Sequence, residues 1–158
     1  SAIIERRAEF FIPDDGPRFR VVHADALDYL EGREGIADLI LLDAFDPEGL
    51  PEALCSVHFY RLCREALREG GVMAANLWHG NLPVQAYLRR MRAAFGAQRV
   101  AAVTAEDGDN DIGFALKGGE LPAREEAEAA ADRWRERTGV EFGHVLGHLR
   151  PALRPGRK

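Results

Sequence analysis

Asp43-Ala-Phe-Asp46-Pro47 directly follows the apolar run Ala37-Asp-Leu-Ile-Leu-Leu42, and this junction decides the fold. The apolar run is bounded by Gly35 and by the Asp- and Pro-containing segment, so it predicts a strand buried on both faces. Two carboxylates follow at its carboxyl end, which is the edge where open α/β sheets bind ligands. Paired acids there indicate chemistry on a cationic or amine-bearing substrate. A plain strand-ending turn is the alternative, because Asp and Pro are also ordinary turn residues.

The composition is typical of a single globular domain. The chain has 158 residues, of which 46% are hydrophobic and 30% charged, so it can bury a proper core. A net charge of −5 disfavours a nucleic-acid-binding surface. The longest apolar runs fall short of the ~20 residues that cross a bilayer. Cys55 and Cys63 have neither a CxxC nor a metal spacing, and no signal peptide is recognisable, so we expect a reduced, cytoplasmic protein.

Strand and helix patterns alternate along the chain. Asp25 and Ser56 are placed to cap helices, and Gly70-Gly71 is placed to end the helix that begins after Ser56. Alternation of this kind predicts a largely parallel α/β sheet, with the last two strands forming an antiparallel hairpin across an acidic turn. The predicted strands cover residues 18–24, 37–42, 72–78, 99–104 and 112–117. The first predicted helix ends at residue 11. The other predicted helices cover residues 26–30, 57–69, 83–95, 122–137 and 141–149.

Several motifs follow one another along the chain. They are Val22-His-Ala-Asp25-Ala26, the Ala37–Pro47 junction, Leu50-Pro-Glu-Ala-Leu54, Leu67-Arg-Glu-Gly-Gly71, Asn76-Leu-Trp78 and Ile112-Gly-Phe-Ala115. Read in order, they resemble the spermidine synthase family, the polyamine aminopropyltransferases, and in particular its bacterial spermidine-synthase-like branch. The resemblance covers about residues 1–117. It implies a methyltransferase-type Rossmann-like sheet, mostly parallel with a C-terminal antiparallel hairpin. Residues 1–119 would then be part of that domain, 120–150 a helical extension, and 151–158 a basic, disordered tail.

The resemblance also implies roles for individual residues. Asp25 would accept a hydrogen bond from the adenine amino group of the cofactor, with a backbone contact from Ala26. Asp43 would be the catalytic acid/base and would also contact the cofactor, and Asp46 would hold the amine. The cofactor would be decarboxylated S-adenosylmethionine, or S-adenosylmethionine as in the wider fold, giving 5′-methylthioadenosine or S-adenosylhomocysteine without a metal. Trp78 either stacks on the substrate or packs at the rim of the sheet.

The chemistry is reasonable on physical grounds alone. An aliphatic amine with a pKa near ~10 is protonated at neutral pH and cannot attack carbon. A carboxylate at Asp43 can hold the ammonium, favour the loss of one proton and orient the lone pair. A second carboxylate at Asp46 can bind the distal ammonium of a diamine. A sulfonium leaving group needs no protonation, so positioning and electrostatics can supply most of the acceleration.

The sequence departs from the family pattern at its amino end. No Gly-rich nucleotide loop is present, and the two strands that would separate the 18–24 strand from the 37–42 strand are missing. Their absence leaves a gap of roughly three inter-strand spacings, about 14 Å. Open strand edges do not persist without a partner. We therefore expect a natural protein that is longer at its amino end, direct pairing across the gap, or exchange of strands within a homodimer.

Other interpretations remain open. Asp107 stands near the place where aminopropyltransferases carry an aromatic residue, and Asn76-Leu-Trp78 differs from their Gln-bearing segment. Both departures argue against putrescine as the substrate, and the missing aromatic residue favours a methyltransferase on the same scaffold. A third interpretation is a non-catalytic, dimerising remnant of the fold. His144 and His148 have an i, i+4 spacing but no evident third ligand, so we expect them on a solvated helix rather than at a metal.

Overall fold

A mixed sheet forms the centre of the protein. The computed structural model describes residues 2–46, 49–78, 83–105 and 110–151. The strands lie in the order β1-β2-β4-β3-β5, with β1 parallel to β2 and β4 antiparallel to both β2 and β3. Three of the four longer strands therefore share one direction, which confirms the predicted sheet and its antiparallel hairpin. The strands are β1 (Ala37–Leu42), β2 (Leu67–Trp78), β3 (Val100–Thr104), β4 (Asn110–Leu116) and β5 (Arg150–Pro151).

Two amphipathic helices cover one face of the sheet. α3 and α4 pack against each other and against the central strands, and their predicted apolar stripes form the core. Gly113 of β4 allows this close approach, since a Cβ there would lie 3.0 Å from the Leu77 side chain and 3.1 Å from the Met91 sulfur. The helices of the described chain are α1 (Ala2–Glu5), α2 (Ala26–Leu30), α3 (Val57–Ala66), α4 (Val84–Phe95), α5 (Arg124–Thr138) and α6 (Gly143–His148), with 3-10 turns at Arg7–Phe10, Glu52–Cys55 and Ala97–Arg99.

The predicted start of α3 is confirmed, but its predicted end is wrong. The Ser56 hydroxyl accepts a hydrogen bond from the Phe59 amide at 3.0 Å, as expected of an N-cap. The helix ends at Ala66, before Gly70-Gly71, because Leu67 already pairs with β1. The Lys117 ammonium also satisfies the carbonyl of Leu67 at 2.6 Å. Tertiary partners for the backbone thus outweigh the local helical pattern.

Gly71 instead lies in an irregular stretch at the start of β2. The register passes from Ala37↔Leu67 to Leu39↔Val72, so the chain bulges over residues 68–71. A Cβ on Gly71 would lie 2.9 Å from the Arg68 carbonyl oxygen. The backbone is therefore packed too closely at this position for any side chain.

The strand predicted over residues 18–24 is not formed. A single bridge joins Gly16 to Phe19, and most of the segment is exposed. Polar contacts hold it instead, since the Arg7 guanidinium binds the carboxylates of Asp14 at 2.9 Å and Asp15 at 2.8 Å. No neighbouring strand of the described chain offers backbone partners, and a lone strand cannot satisfy its own N–H and C=O groups. Direct pairing across the predicted gap is therefore absent.

The prediction that β1 is buried on both faces is also wrong. Leu42 faces the helices and is 8% exposed, whereas Leu39 and Leu41 are 54% and 72% exposed on the opposite side. Helices α3 and α4 cover only one face, and no described strand pairs with the outer edge of β1. We refer to the exposed Leu39 and Leu41 side as the open face.

The C-terminal region forms the two predicted helices, α5 and α6. α6 contacts β3, and β5 adds two residues to the edge of the sheet beside β3. Of the predicted basic tail, residues 152–158 lie outside the described part of the chain, and residues 106–109 of the acidic turn do so too. No helix within the described ranges is long and apolar enough to cross a membrane.

The contrast between the two faces of the sheet gives a matched stability test. Leu77→Ala empties a fully buried position and should lower the free energy of unfolding by about 3 kcal/mol. Leu41→Ala makes the same change at a 72% exposed strand position and should cost less than about 1 kcal/mol. Urea unfolding followed by circular dichroism measures both. Equal losses would show that the open face is covered in solution.

Two thiols and a phenol lie in the core, and burial raises the pKa of each. Burial raises the pKa of the Cys63 thiol from 9.0 to about 12. Burial likewise raises the pKa of Cys55, against the opposing effect of the nearby Arg90, and that of Tyr60. Both cysteines are free thiols. Ionising any of these groups places a charge in the core, so alkaline pH opposes folding.

Cys63 therefore predicts a specific loss of stability at high pH. The raised folded pKa means that its contribution is complete below pH 9 and is lost as the pH rises toward 12. Between pH 9 and about pH 10.5 this one thiol should lower the free energy of unfolding by about 2 kcal/mol. In Cys63→Ala that part of the pH dependence should disappear. Urea unfolding at both pH values is the measurement, and identical slopes for the two proteins would contradict the assignment.

Candidate active site

A pocket of about 330 Å³ lies at the carboxyl ends of β1 and β2. Its described lining comes from three places that are distant in sequence but adjacent in the sheet. The loop after β1, the end of β2 and the first residue of β4 all contribute. We call it the acidic pocket, and its lining residues are Asp43, Phe45, Asp46, Gly49, Asn76, Trp78 and Asn110.

The parallel register of β1 and β2 brings the catalytic candidate into the pocket. Leu42 pairs with Ala75, so the next residues of the two strands, Asp43 and Asn76, lie side by side. The Asn76 amide nitrogen Nδ2 donates a hydrogen bond to Asp43 Oδ1 at 3.1 Å. Because side chains alternate along a strand, both residues lie opposite the buried Leu42 and Ala75. Asp43 is thus oriented by its neighbouring strand while staying exposed to a ligand.

A tight turn holds Asp46 in the same pocket. The Asp46 amide donates to the Gly49 carbonyl at 2.9 Å, and the Gly49 amide returns a bond to the Asp46 carbonyl at 3.0 Å. Gly49 has a φ of 122°, a conformation that L side chains rarely adopt. Residues 47 and 48 lie outside the described part of the chain. Farther along, Arg90 donates to the Cys55 carbonyl at 3.2 Å and so fixes the end of this loop to α4.

The polar groups of the pocket are mainly hydrogen-bond acceptors. Its two charged lining residues, Asp43 and Asp46, are both carboxylates. The amide oxygens of Asn76 and Asn110 are buried without a hydrogen-bond partner among the described residues. Such a site suits a cation that carries N–H donors. Within the described ranges, no group of three His, Cys, Asp or Glu side chains is arranged to hold a metal ion.

The structure brings three of the five predicted site residues together. Asp43, Asp46 and Trp78 line the acidic pocket, with Trp78 42% exposed at the end of β2. Asp25 and Ala26 do not line it. Asp25 caps α2, as the simpler interpretation predicts, by accepting the Leu27 amide at 2.8 Å on Oδ1. Its longer bond from the Asp28 amide also ends on Oδ1. The cofactor roles of Asp25 and Ala26 stay predictions.

Four lining residues were not predicted as site residues. Phe45 and Gly49 belong to the loop, and no sequence signal separates them from ordinary loop residues. Asn76 interrupts an otherwise apolar strand, which is a usable signal, since a polar residue there needs a partner. Asn110 falls in the predicted acidic turn, where an Asn is unremarkable. Only its place at the first position of β4 reveals it.

Comparison with known proteins identifies the family of the chain. Residues 5–116 match the model of the spermine/spermidine synthase domain. The chain belongs to this family. A polyamine aminopropyltransferase of Chromobacterium violaceum is 31% identical over 144 residues, which cover 91% of this chain and 55% of that protein. The chain therefore spans about half the length of the curated relatives it matches.

Solved structures support the fold. The spermidine synthase of Thermotoga maritima superposes with a TM-score of 0.64 at 23% identity, over 96% of this chain and 51% of that one. Human methyltransferase-like protein 13 in complex with SAH gives a TM-score of 0.69 at 26% identity, over 92% and 72%. Both agree with the predicted Rossmann-like sheet of the methyltransferase type.

Proposed function

We propose that this protein carries the amine-binding and catalytic part of a spermidine-synthase-like transferase. The reaction is transfer of an aminopropyl or related group from a decarboxylated S-adenosylmethionine-type sulfonium to a small amine. One observation carries the proposal: Asp43 and Asp46 share one pocket at the ligand edge of the sheet. Family membership gives the reaction class.

The two carboxylates have different tasks in this proposal. Asp43, oriented by its hydrogen bond from Asn76, holds the attacking ammonium, accepts its proton and leaves a lone pair directed at the donor. Asp46, on the turn closed by Gly49, binds the distal ammonium of a diamine. Trp78 lies beside them and offers an aromatic face to the alkyl chain or to a cation.

The sulfonium nucleoside would supply a carbon that is activated for displacement when it is bound. Asp25 is suited to its adenine amino group, because the residue is exposed and both capping bonds use Oδ1. Ala26 would add a backbone contact, and Asp43 would face the donor from β1. The negative charge of the pocket favours a site at which both reactants are cations.

Methyl transfer from S-adenosylmethionine is the second candidate. The observation in its favour is the likeness to human methyltransferase-like protein 13 in complex with SAH, whose length this chain covers to 72%. Product analysis by mass spectrometry separates the two reactions. An added aminopropyl group on the amine supports the first, and an added methyl group supports the second.

Asp43→Asn tests the proposed chemistry directly. The amide keeps the shape of the side chain but cannot accept the proton, so kcat for the amine-transfer reaction should fall at least about 100-fold. Binding of 5′-methylthioadenosine, measured by calorimetry, should change little. Product formation from decarboxylated S-adenosylmethionine and 1,4-diaminobutane, followed by mass spectrometry, is the assay.

Asp38→Asn is the matched control, because it makes the same change on the same strand. Asp38 is exposed and paired with Arg68 at 2.6 Å, away from the pocket. It should retain turnover within about twofold, since exposed ion pairs contribute little. Unchanged turnover in Asp43→Asn would remove Asp43 from the mechanism.

We further propose that the protein acts in the cytoplasm and that the open face is covered in a homodimer, with or without exchanged strands. The two free thiols support the cytoplasmic location. The exposure of Leu39 and Leu41 supports the homodimer.

Leu39→Glu combined with Leu41→Glu should convert a dimer to a monomer in sedimentation velocity, because charge opposes apolar burial. Phe11→Glu, at a 95% exposed residue elsewhere, is the control. A wild-type monomer would refute the dimer.

A further inference from the structure

Asn110 is a lining residue of the acidic pocket that carries an unsatisfied acceptor. Its side chain lines the pocket, while its amide oxygen is buried and has no hydrogen-bond partner among the described residues. Buried acceptors are nearly always satisfied in folded proteins, because leaving one without a donor is unfavourable. A donor that arrives with a ligand is therefore expected at this position.

The hairpin fixes Asn110 where it is. It is the first residue of β4 and pairs with Trp78 across the sheet. The Asn110 carbonyl accepts the Ala105 amide at 2.8 Å, which closes the turn. The next residue, Asp111, is buried and accepts the Thr104 hydroxyl at 2.6 Å. Because neighbouring side chains alternate between faces, that inward bond holds Asn110 on the pocket side.

We propose that Asn110 selects the amine. Its amide oxygen accepts an N–H from a primary ammonium that is held by the carboxylates of Asp43 and Asp46. The inference rests on the proposed function, since it assigns the class of acceptor that the acidic pocket takes. Asn110 is a specificity residue here, and it takes no part in proton transfer.

The number of N–H donors is what distinguishes the possible ligands. A primary ammonium has three, so it can satisfy a carboxylate and still reach an amide oxygen. A dimethylated ammonium has the same charge but a single N–H, which the carboxylate takes. Charge attraction to Asp43 and Asp46 is similar for both. The N–H donors left over by the carboxylates need other acceptors, so an unsatisfied amide oxygen such as that of Asn110 favours the primary ammonium.

Titration calorimetry of 1,4-diaminobutane and of its N,N,N′,N′-tetramethyl derivative tests this selection. Wild-type protein should bind the primary diamine at least about 10-fold more tightly, the value of one hydrogen bond to a charged group. Asn110→Leu keeps the size of the side chain and removes the acceptor. This variant should bind the primary diamine about 10- to 100-fold more weakly. Its affinity for the tetramethyl diamine should stay within about twofold of the wild-type value. Asn110→Asp, which keeps an acceptor oxygen, should preserve the preference.

The possible failures are distinguishable. If wild-type protein binds neither diamine, the proposed function fails and the inference fails with it. If wild-type protein binds the primary diamine but Asn110→Leu weakens both ligands equally, the side chain only shapes the pocket. If Asn110→Leu changes neither affinity, water satisfies the amide oxygen. Either of the last two results overturns the role of Asn110 and leaves the proposed function standing. Circular dichroism of each variant reports whether its fold is intact.

Discussion

The parallel pairing of β1 with β2 is the constraint on which the rest of the structure depends. It runs from Leu39↔Val72 to Leu42↔Ala75 and brings the carboxyl ends of both strands to the same edge. The Asp43–Asn76 hydrogen bond is its direct consequence. Without this register the two residues, 33 positions apart in the chain, would have no reason to meet. Chain connectivity alone places Asp46 near Asp43, whereas the sheet places Asn76 and Asn110 there.

The same sheet is covered unequally. α3 and α4 give the central strands a dry face, on which Met73 and Leu77 are fully buried. On the opposite side β1 leaves Leu39 and Leu41 to solvent. Apolar burial is the main favourable contribution to folding. Covering the exposed leucines with a partner surface would therefore add stability. The acidic pocket lies on this same side, because Asp43 follows Leu39 and Leu41 at intervals of two along the chain.

The pocket combines charged and uncharged acceptors. Asp43 and Asp46 lie in the loop that follows β1. They carry the charge that attracts a cation. Asn76 and Asn110 lie within strands, and their buried oxygens offer directed but uncharged acceptors. Carboxylates attract a cation through their charge, and the amide oxygens add uncharged acceptors for further N–H donors.

The sequence by itself determined the features that depend on neighbours along the chain. These include the Ser56 and Asp25 caps, the apolar stripes of α3 and α4, the closing hairpin and the position of Asp43 and Asp46 after a strand. The tertiary structure alone decided the features that need a partner from elsewhere in the chain. Residues 18–24 have strand periodicity but no neighbouring strand among the described residues. Leu41 is apolar like a core residue, but no described layer covers it. Asn110 acquired its place through pairing with Trp78. Periodicity records which side of an element is apolar, whereas burial and hydrogen bonding depend on what lies against it.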